Sequence, residues 1–187
     1  MKDKIIVHVC CGVCAIMPFM ILEETFEPRG FWFNPNIHPY KEYKKRLQNA
    51  GYVFQKLGKD IAWNMEYNIA AWFSLITPIA KNKELRCQTC YEIRLEQTAQ
   101  FARENGIKIF TTTMLYSTHQ DVETIKKIGQ ITAEKYGIEF LPMDLRSHYQ
   151  QGQEIAKKWN VYRQRYCGCL FSEIEREGLC NENSKKR

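Results

Sequence analysis

Short β-branched apolar runs alternate along this chain with longer segments whose apolar positions recur at helical spacing. KIIVHV (Lys4–Val9) is the first run and predicts a buried strand. GVCAIMPFMILEE (Gly12–Glu24) has helical spacing, with Pro18 near its first turns or kinking it. RGFWFN (Arg29–Asn34) predicts a second strand, closed by the loop PNIHP. Tyr40–Ala50 reads as a polar helix and YVFQKL (Tyr52–Leu57) as a third strand. Asp60 is placed to cap a helix running through WNMEYNIAAWF. A long helix from Cys87 to Asn105 follows, closed by Gly106, then a strand over Lys108–Thr113. Asp121–Tyr136 predicts a helix ended by Gly137, and IEFLPM a last strand. The remainder reads as helical and polar, with a charged, disordered tail from Asn181.

Strands alternating with helices predict an α/β fold: a mainly parallel, doubly wound sheet with flanking helices and a helical C-terminal part. Ligands of such sheets sit beyond the carboxyl ends of the strands, where the strand order reverses. No repeat or low-complexity linker divides the chain, so one α/β domain is expected over residues 1–180, with the tail at 181–187. A hydrophobic fraction of 44% is enough for a substantial core. No apolar stretch has the length of a membrane span. The N-terminus runs directly into a strand without the apolar region or cleavage site of a signal peptide, so a cytoplasmic protein is expected.

A reducing compartment changes how the eight cysteines are read. Seven fall into three tight groups: Cys10, Cys11 and Cys14; Cys87 and Cys90; Cys167 and Cys169. Cys180 stands alone near the tail. The first group lies where strand one turns into helix one, and the second is expected to open a helix, whose N-terminal dipole lowers thiol pKa values. Gly168 frees the third to bring two thiols onto one centre. Packing explains single buried cysteines better than it explains three groups. Four thiols satisfy one zinc ion, so seven favour a cluster with four ligands and a separate function for three. The strand-one loop has neither a G-x-x-x-x-G-K-[ST] phosphate loop nor G-x-G-x-x-G. ATP is therefore not expected, and redox chemistry is.

Five stretches together resemble the epoxyqueuosine reductases called QueH: VHVCCGVCA (Val7–Ala15), FNPNIHPYKEYKKR (Phe33–Arg46), RCQTCYEIRLEQTA (Arg86–Ala99), FTTTMLYSTHQD (Phe110–Asp121) and YRQRYCGCLFS (Tyr162–Ser172). Tyr116 and His119-Gln120-Asp121 depart mildly from that family's pattern. The resemblance implies a cobalamin-independent reduction of the epoxide of epoxyqueuosine at the tRNA wobble position, giving queuosine. It implies Cys10, Cys11, Cys87 and Cys90 as ligands of a [4Fe–4S] cluster. Cys167 and Cys169 are then a redox-active dithiol able to form a disulfide bond, or, with Cys14, ligands of a second mononuclear metal (iron or zinc). An unidentified electron donor is implied as a partner beside tRNA.

Tyr166, Tyr162, Asp121 and Asp144 are the candidate proton donors, set against ordinary packing and capping roles. His38 is placed to contact substrate or to order its loop, and His8 is read as core. A net charge of +6 permits a polyanionic partner without requiring one. Lys41, Lys44, Lys45 and Arg46, with Trp32, Phe33 and Tyr40 nearby, could hold RNA, as could Arg163 and Arg165 between Tyr162 and Tyr166. Solvated helix surface and filled core are the plainer readings of the same residues. Two other functions compete: a cluster-dependent tRNA thiolation enzyme, which needs ATP, and a non-catalytic zinc module binding RNA or protein.

Overall fold

A computed structural model describes residues 2–178; Cys180 and the tail expected from Asn181 lie outside them. Five strands form one sheet, β1 (Asp3–His8), β2 (Phe26–Trp32), β3 (Ile61–Trp63), β4 (Ile109–Thr112) and β5 (Glu139–Phe140). Their order is β3–β2–β1–β4–β5 and every pairing is parallel. Seven α-helices flank it among the described residues: α1 (Gly12–Leu22), α2 (Tyr40–Leu57), α3 (Ile69–Ile76), α4 (Lys83–Glu104), α5 (Val122–Tyr136), α6 (Tyr149–Lys158) and α7 (Leu170–Arg176). This is the α/β architecture that the alternating pattern predicts. None of these helices is long and apolar enough to cross a membrane.

β1 is central because both of its faces are apolar. Ile5, Val7 and Val9 join Ile16 and Phe19 of α1, Val53 and Phe54 of α2 and Ala156 of α6 in one core. Ile6 faces the other way, into a second core with Phe110, Leu95 of α4 and Ile125 of α5. Alternate side chains of a strand point to opposite faces, so a continuous apolar run is what two helical layers require. The chain steps outward from β1 to β2 and β3, then returns to add β4 on the other side. The order therefore reverses between β1 and β4. Their carboxyl ends are tied together there: Cys10 N–H donates to Thr113 Oγ1 at 3.0 Å.

Several elements differ from the sequence pattern. The segment Tyr52–Leu57 is not a strand but the last turns of α2. Its buried positions, Tyr43, Arg46, Ala50, Val53 and Phe54, form a helical stripe, and the helix ends only at Gly58 in the left-handed region (φ 62°). The edge strand is β3 instead, and Asp60 precedes it, its carbonyl accepting from Gly30 N–H. Asn68, not Asp60, caps the next helix by accepting from Ala71 N–H. α4 begins at Lys83, where Asn82 accepts from Leu85 N–H, so it starts a full turn before Cys87. Only Glu139–Phe140 of the expected last strand pairs.

Candidate metal centre

β1 delivers Cys10 to the reversal point, and the chain turns at once into α1. Cys11 is the N-cap of that helix, its Sγ accepting from Cys14 N–H at 3.3 Å. The sulfurs of Cys10, Cys11 and Cys14 consequently lie within 4.8 Å of one another. Thr113 Oγ1 donates to Cys10 Sγ at 3.2 Å and Gln164 Nε2 to Cys11 Sγ at 2.9 Å. Hydrogen bonds from the Cys11 and Cys14 thiols pull the Cys10 pKa well down. Burial pushes Cys11 up, and the bonds it gives its neighbours push Cys14 up.

Cys87 and Cys90 lie on successive turns of α4. They are not at its free N-terminus, so the expected dipole effect is missing and burial dominates. It pushes Cys90 up to about 12 and raises Cys87 as well. Cys167 and Cys169 sit on the loop before α7, whose shape is set by Arg46 and Gly168. Arg46 donates to the carbonyls of Cys167 at 2.8 Å and Tyr166 at 3.0 Å, and ion-pairs with Glu42 at 2.7 Å. Gly168 has φ 150°, and a Cβ there would crowd Asn36, Ile37 and Arg46 at 3.2–3.3 Å.

These groups meet. A cavity of about 500 Å³ beyond the ends of β1 and β4 is lined by Cys10, Cys14, Cys87, Cys90, Cys167 and Cys169. All seven described cysteines are free thiols, so the Cys167–Cys169 pair is not bridged. Sulfur-only donor sets suit soft metals and iron–sulfur centres. A tetrahedral thiolate ion sets its sulfurs about 3.8 Å apart, which the Cys10–Cys11–Cys14 spacing approaches. A four-iron cluster is larger and is suited by thiols arriving from different walls. The donor set fits either group.

The other sequence candidates divide. Arg163, Arg165 and Tyr166 line the cavity, the two arginines exposed. The Tyr166 hydroxyl donates to the His38 carbonyl. His38 itself is buried, its ring 4.6 Å from Trp72 and 5.3 Å from Phe73, and its backbone N–H donates to Gly168 O at 2.8 Å. It therefore touches the cysteine loop. Asp121 caps α5, its two oxygens accepting from Thr124 N–H and Oγ1, which holds its pKa low. Asp144 pairs with Arg146, and Tyr162 donates to Glu42. His8 is core, as expected, between Thr112 Oγ1 and Phe33 O. Lys41, Lys44, Lys45 and Tyr40 are exposed, but Trp32 and Phe33 are core and Arg46 is only 1% exposed, so Arg46 does not belong to an RNA-facing surface.

Three contributors went unmarked in the sequence reading. Gln164 and Gln120 donate to Cys11 and Cys167 sulfurs, and Arg94, buried beside Cys90, lines the cavity. Arg94 had a signal: with Cys87 and Cys90 it falls at i, i+3, i+7, one face of a helix.

A family profile described as "Epoxyqueuosine reductase QueH" matches residues 5–175. A protein named Epoxyqueuosine reductase QueH from Dehalococcoides mccartyi is 33% identical, over 97% of this chain and 98% of its own length. One of the same name from Thermotoga maritima is 35% identical over 98% and 97%, and one from Staphylococcus epidermidis 28% over 93% and 78%. The motifs carrying the cavity's cysteines all fall within the matched residues. This chain belongs to the QueH family of epoxyqueuosine reductases.

Proposed function

We propose that this protein reduces the epoxide of epoxyqueuosine in tRNA to the alkene of queuosine, using a [4Fe–4S] cluster. The observation that carries the reading is the convergence of six cysteines from three distant segments on one cavity. The reaction takes two electrons and two protons: both C–O bonds of the epoxide break, a C=C bond forms, and the oxygen leaves as water. Cys10, Cys11, Cys87 and Cys90 are the proposed cluster ligands; Cys11 is not part of the cavity lining, and its sulfur lies within 4.8 Å of those of Cys10 and Cys14, which are. When bound, a cluster supplies electrons one at a time from an external donor.

The chain's own residues do the rest. Thr113 and Gln164 orient the Cys10 and Cys11 sulfurs through the bonds described above. Tyr166 is the proposed proton donor: it lines the cavity, burial raises its phenol pKa so that it stays protonated, and its hydroxyl turns from the His38 carbonyl to substrate when substrate binds. Asp121 is the weaker candidate, because Thr124 holds its carboxylate ionised. Exposed Arg163 and Arg165 at the cavity wall hold tRNA phosphates, which brings the wobble nucleotide, turned out of its stack, to the thiols. Cys167 and Cys169 serve as a redox dithiol across the flexible Gly168. A second reading gives them, with Cys14, to a single metal, since all three line the same cavity.

Mass analysis of nucleosides from tRNA of cells lacking this protein tests the reading. Epoxyqueuosine should accumulate and disappear again when the wild-type chain, but not its Cys90→Ser variant, is restored. An unchanged queuosine content would overturn it.

A further inference from the structure

Two arginines are buried among the described residues, and they differ in one respect. Arg46, 1% exposed, has a carboxylate partner in Glu42 and uses its remaining donors on main-chain carbonyls. Arg94, 3% exposed, has none. Its Nε donates to Cys90 O at 2.9 Å, its Nη2 is buried without a hydrogen-bond partner, and no carboxylate lies within ion-pair distance among the described residues. A cation taken out of water costs several kcal/mol unless an anion faces it. A native fold that keeps one must therefore provide that anion.

The surroundings say what it is. Arg94 shares the wall of the cysteine cavity with Cys90, Cys167 and Cys10, and its Nε holds the Cys90 carbonyl. The three thiols come from three separate segments. The carboxylate that lines the cavity, Glu175, is already paired with Lys83 and Arg86, which leaves the sulfurs. Lys83 and Arg86 are cations of the same wall, but both are committed to Glu175.

We infer that Arg94 is the counter-cation of the thiolate centre, a positioning residue whose free Nη2 faces the anionic sulfur ligands or the group they bind. The charge serves the site in two ways. It offsets the mutual repulsion of thiolates gathered in one cavity, and it favours the more reduced, more negative state of a bound redox group. The inference rests on the proposed function only where that group is an iron–sulfur cluster; a thiolate-bound ion of any kind requires the same cation.

The test uses the full chain purified without oxygen, as wild type, Arg94→Gln and Arg94→Lys. Gln keeps a donor for the Cys90 carbonyl but removes the charge, whereas Lys keeps the charge. Co²⁺ affinity is read from the sulfur-to-cobalt charge-transfer band, and the reduction potential from any iron–sulfur chromophore present. Arg94→Gln should weaken Co²⁺ binding about 10- to 100-fold, with the potential moved negative, and Arg94→Lys should stay within about threefold of wild type. Wild-type behaviour in Arg94→Gln would overturn the inference. So would equal loss in both variants, by affinity or by misfolding, since that would make shape rather than charge the requirement. A wild-type chain that binds Co²⁺ but never carries iron would remove the cluster reading and leave the Arg94 comparison intact. A wild-type chain that binds neither would remove both.

Discussion

Replacing Arg46 with Met removes the clamp that shapes the Cys167–Cys169 loop. Three groups lose their donor: the carbonyls of Cys167 and Tyr166, and the carboxylate of Glu42, whose side chain is 11% exposed. Breaking a buried ion pair from one side typically costs about 3–5 kcal/mol, because the remaining charge is stranded. Tyr162 still donates to Glu42 at 2.9 Å, which places the expected loss at the lower end, about 3 kcal/mol. Much of this belongs to the stranded carboxylate. The double variant Glu42→Gln/Arg46→Met should therefore cost less than the sum of the single variants by about 1–2 kcal/mol. Urea unfolding of the four proteins, purified without oxygen, measures both quantities. A loss below about 1 kcal/mol in Arg46→Met, or strict additivity in the double variant, would refute the clamp.

Other consequences can be checked separately. Cys87→Ser and Cys90→Ser should each abolish the visible iron–sulfur absorption, whereas Cys167→Ser should retain it and lose turnover; loss of iron in Cys167→Ser would sink the dithiol assignment. His38 has its folded pKa lowered to about 4 by burial, so the unfolded chain binds a proton first and stability should fall as pH drops from about 6.5 toward 4. Replacing His38 with Phe should flatten that part of the stability–pH curve by up to about 3 kcal/mol, and an unchanged slope would contradict a buried neutral imidazole. A Cβ at Gly152 would come within 2.0 Å of Tyr116 Oη and 2.9 Å of Met17 Cγ, so Gly152→Ala should destabilise by about 1–3 kcal/mol in the same unfolding assay. Charge removal at Arg163 or Arg165 should weaken tRNA binding and lower the salt slope by about one each; unchanged binding in both would move the RNA surface elsewhere.

The sequence makes the layered fold legible because β1 carries a pattern with one interpretation, an apolar run too short for a buried helix. Tyr52–Leu57 misleads for the opposite reason. Six residues rich in aromatic and aliphatic side chains satisfy a strand as well as a helix, and only Val53 and Phe54 packing onto α1 decides between them. The start of α4 was missed because its cap, Asn82, lies in a polar stretch where the cysteines draw attention four residues too late. At the site, grouping of the thiols was visible in the chain, but their electrostatics were not. Arg46 read as an RNA-facing cation and Arg94 drew no reading, since a buried arginine differs from an exposed one only in what the rest of the fold places around it. His38 read equally as a substrate contact and as an orderer of its loop; a helix through Trp72 and Phe73 was legible, but not its packing against the His38 ring.

The most direct measurement is a single turnover in vitro. Protein purified without oxygen, with its iron and sulfide counted and its centre chemically reduced, is mixed with tRNA bearing epoxyqueuosine, and the nucleosides are resolved by mass. The account predicts queuosine formed in proportion to the iron–sulfur centre present, and none from the Cys90→Ser variant. A fully loaded, reduced protein that returns the epoxide untouched would contradict it.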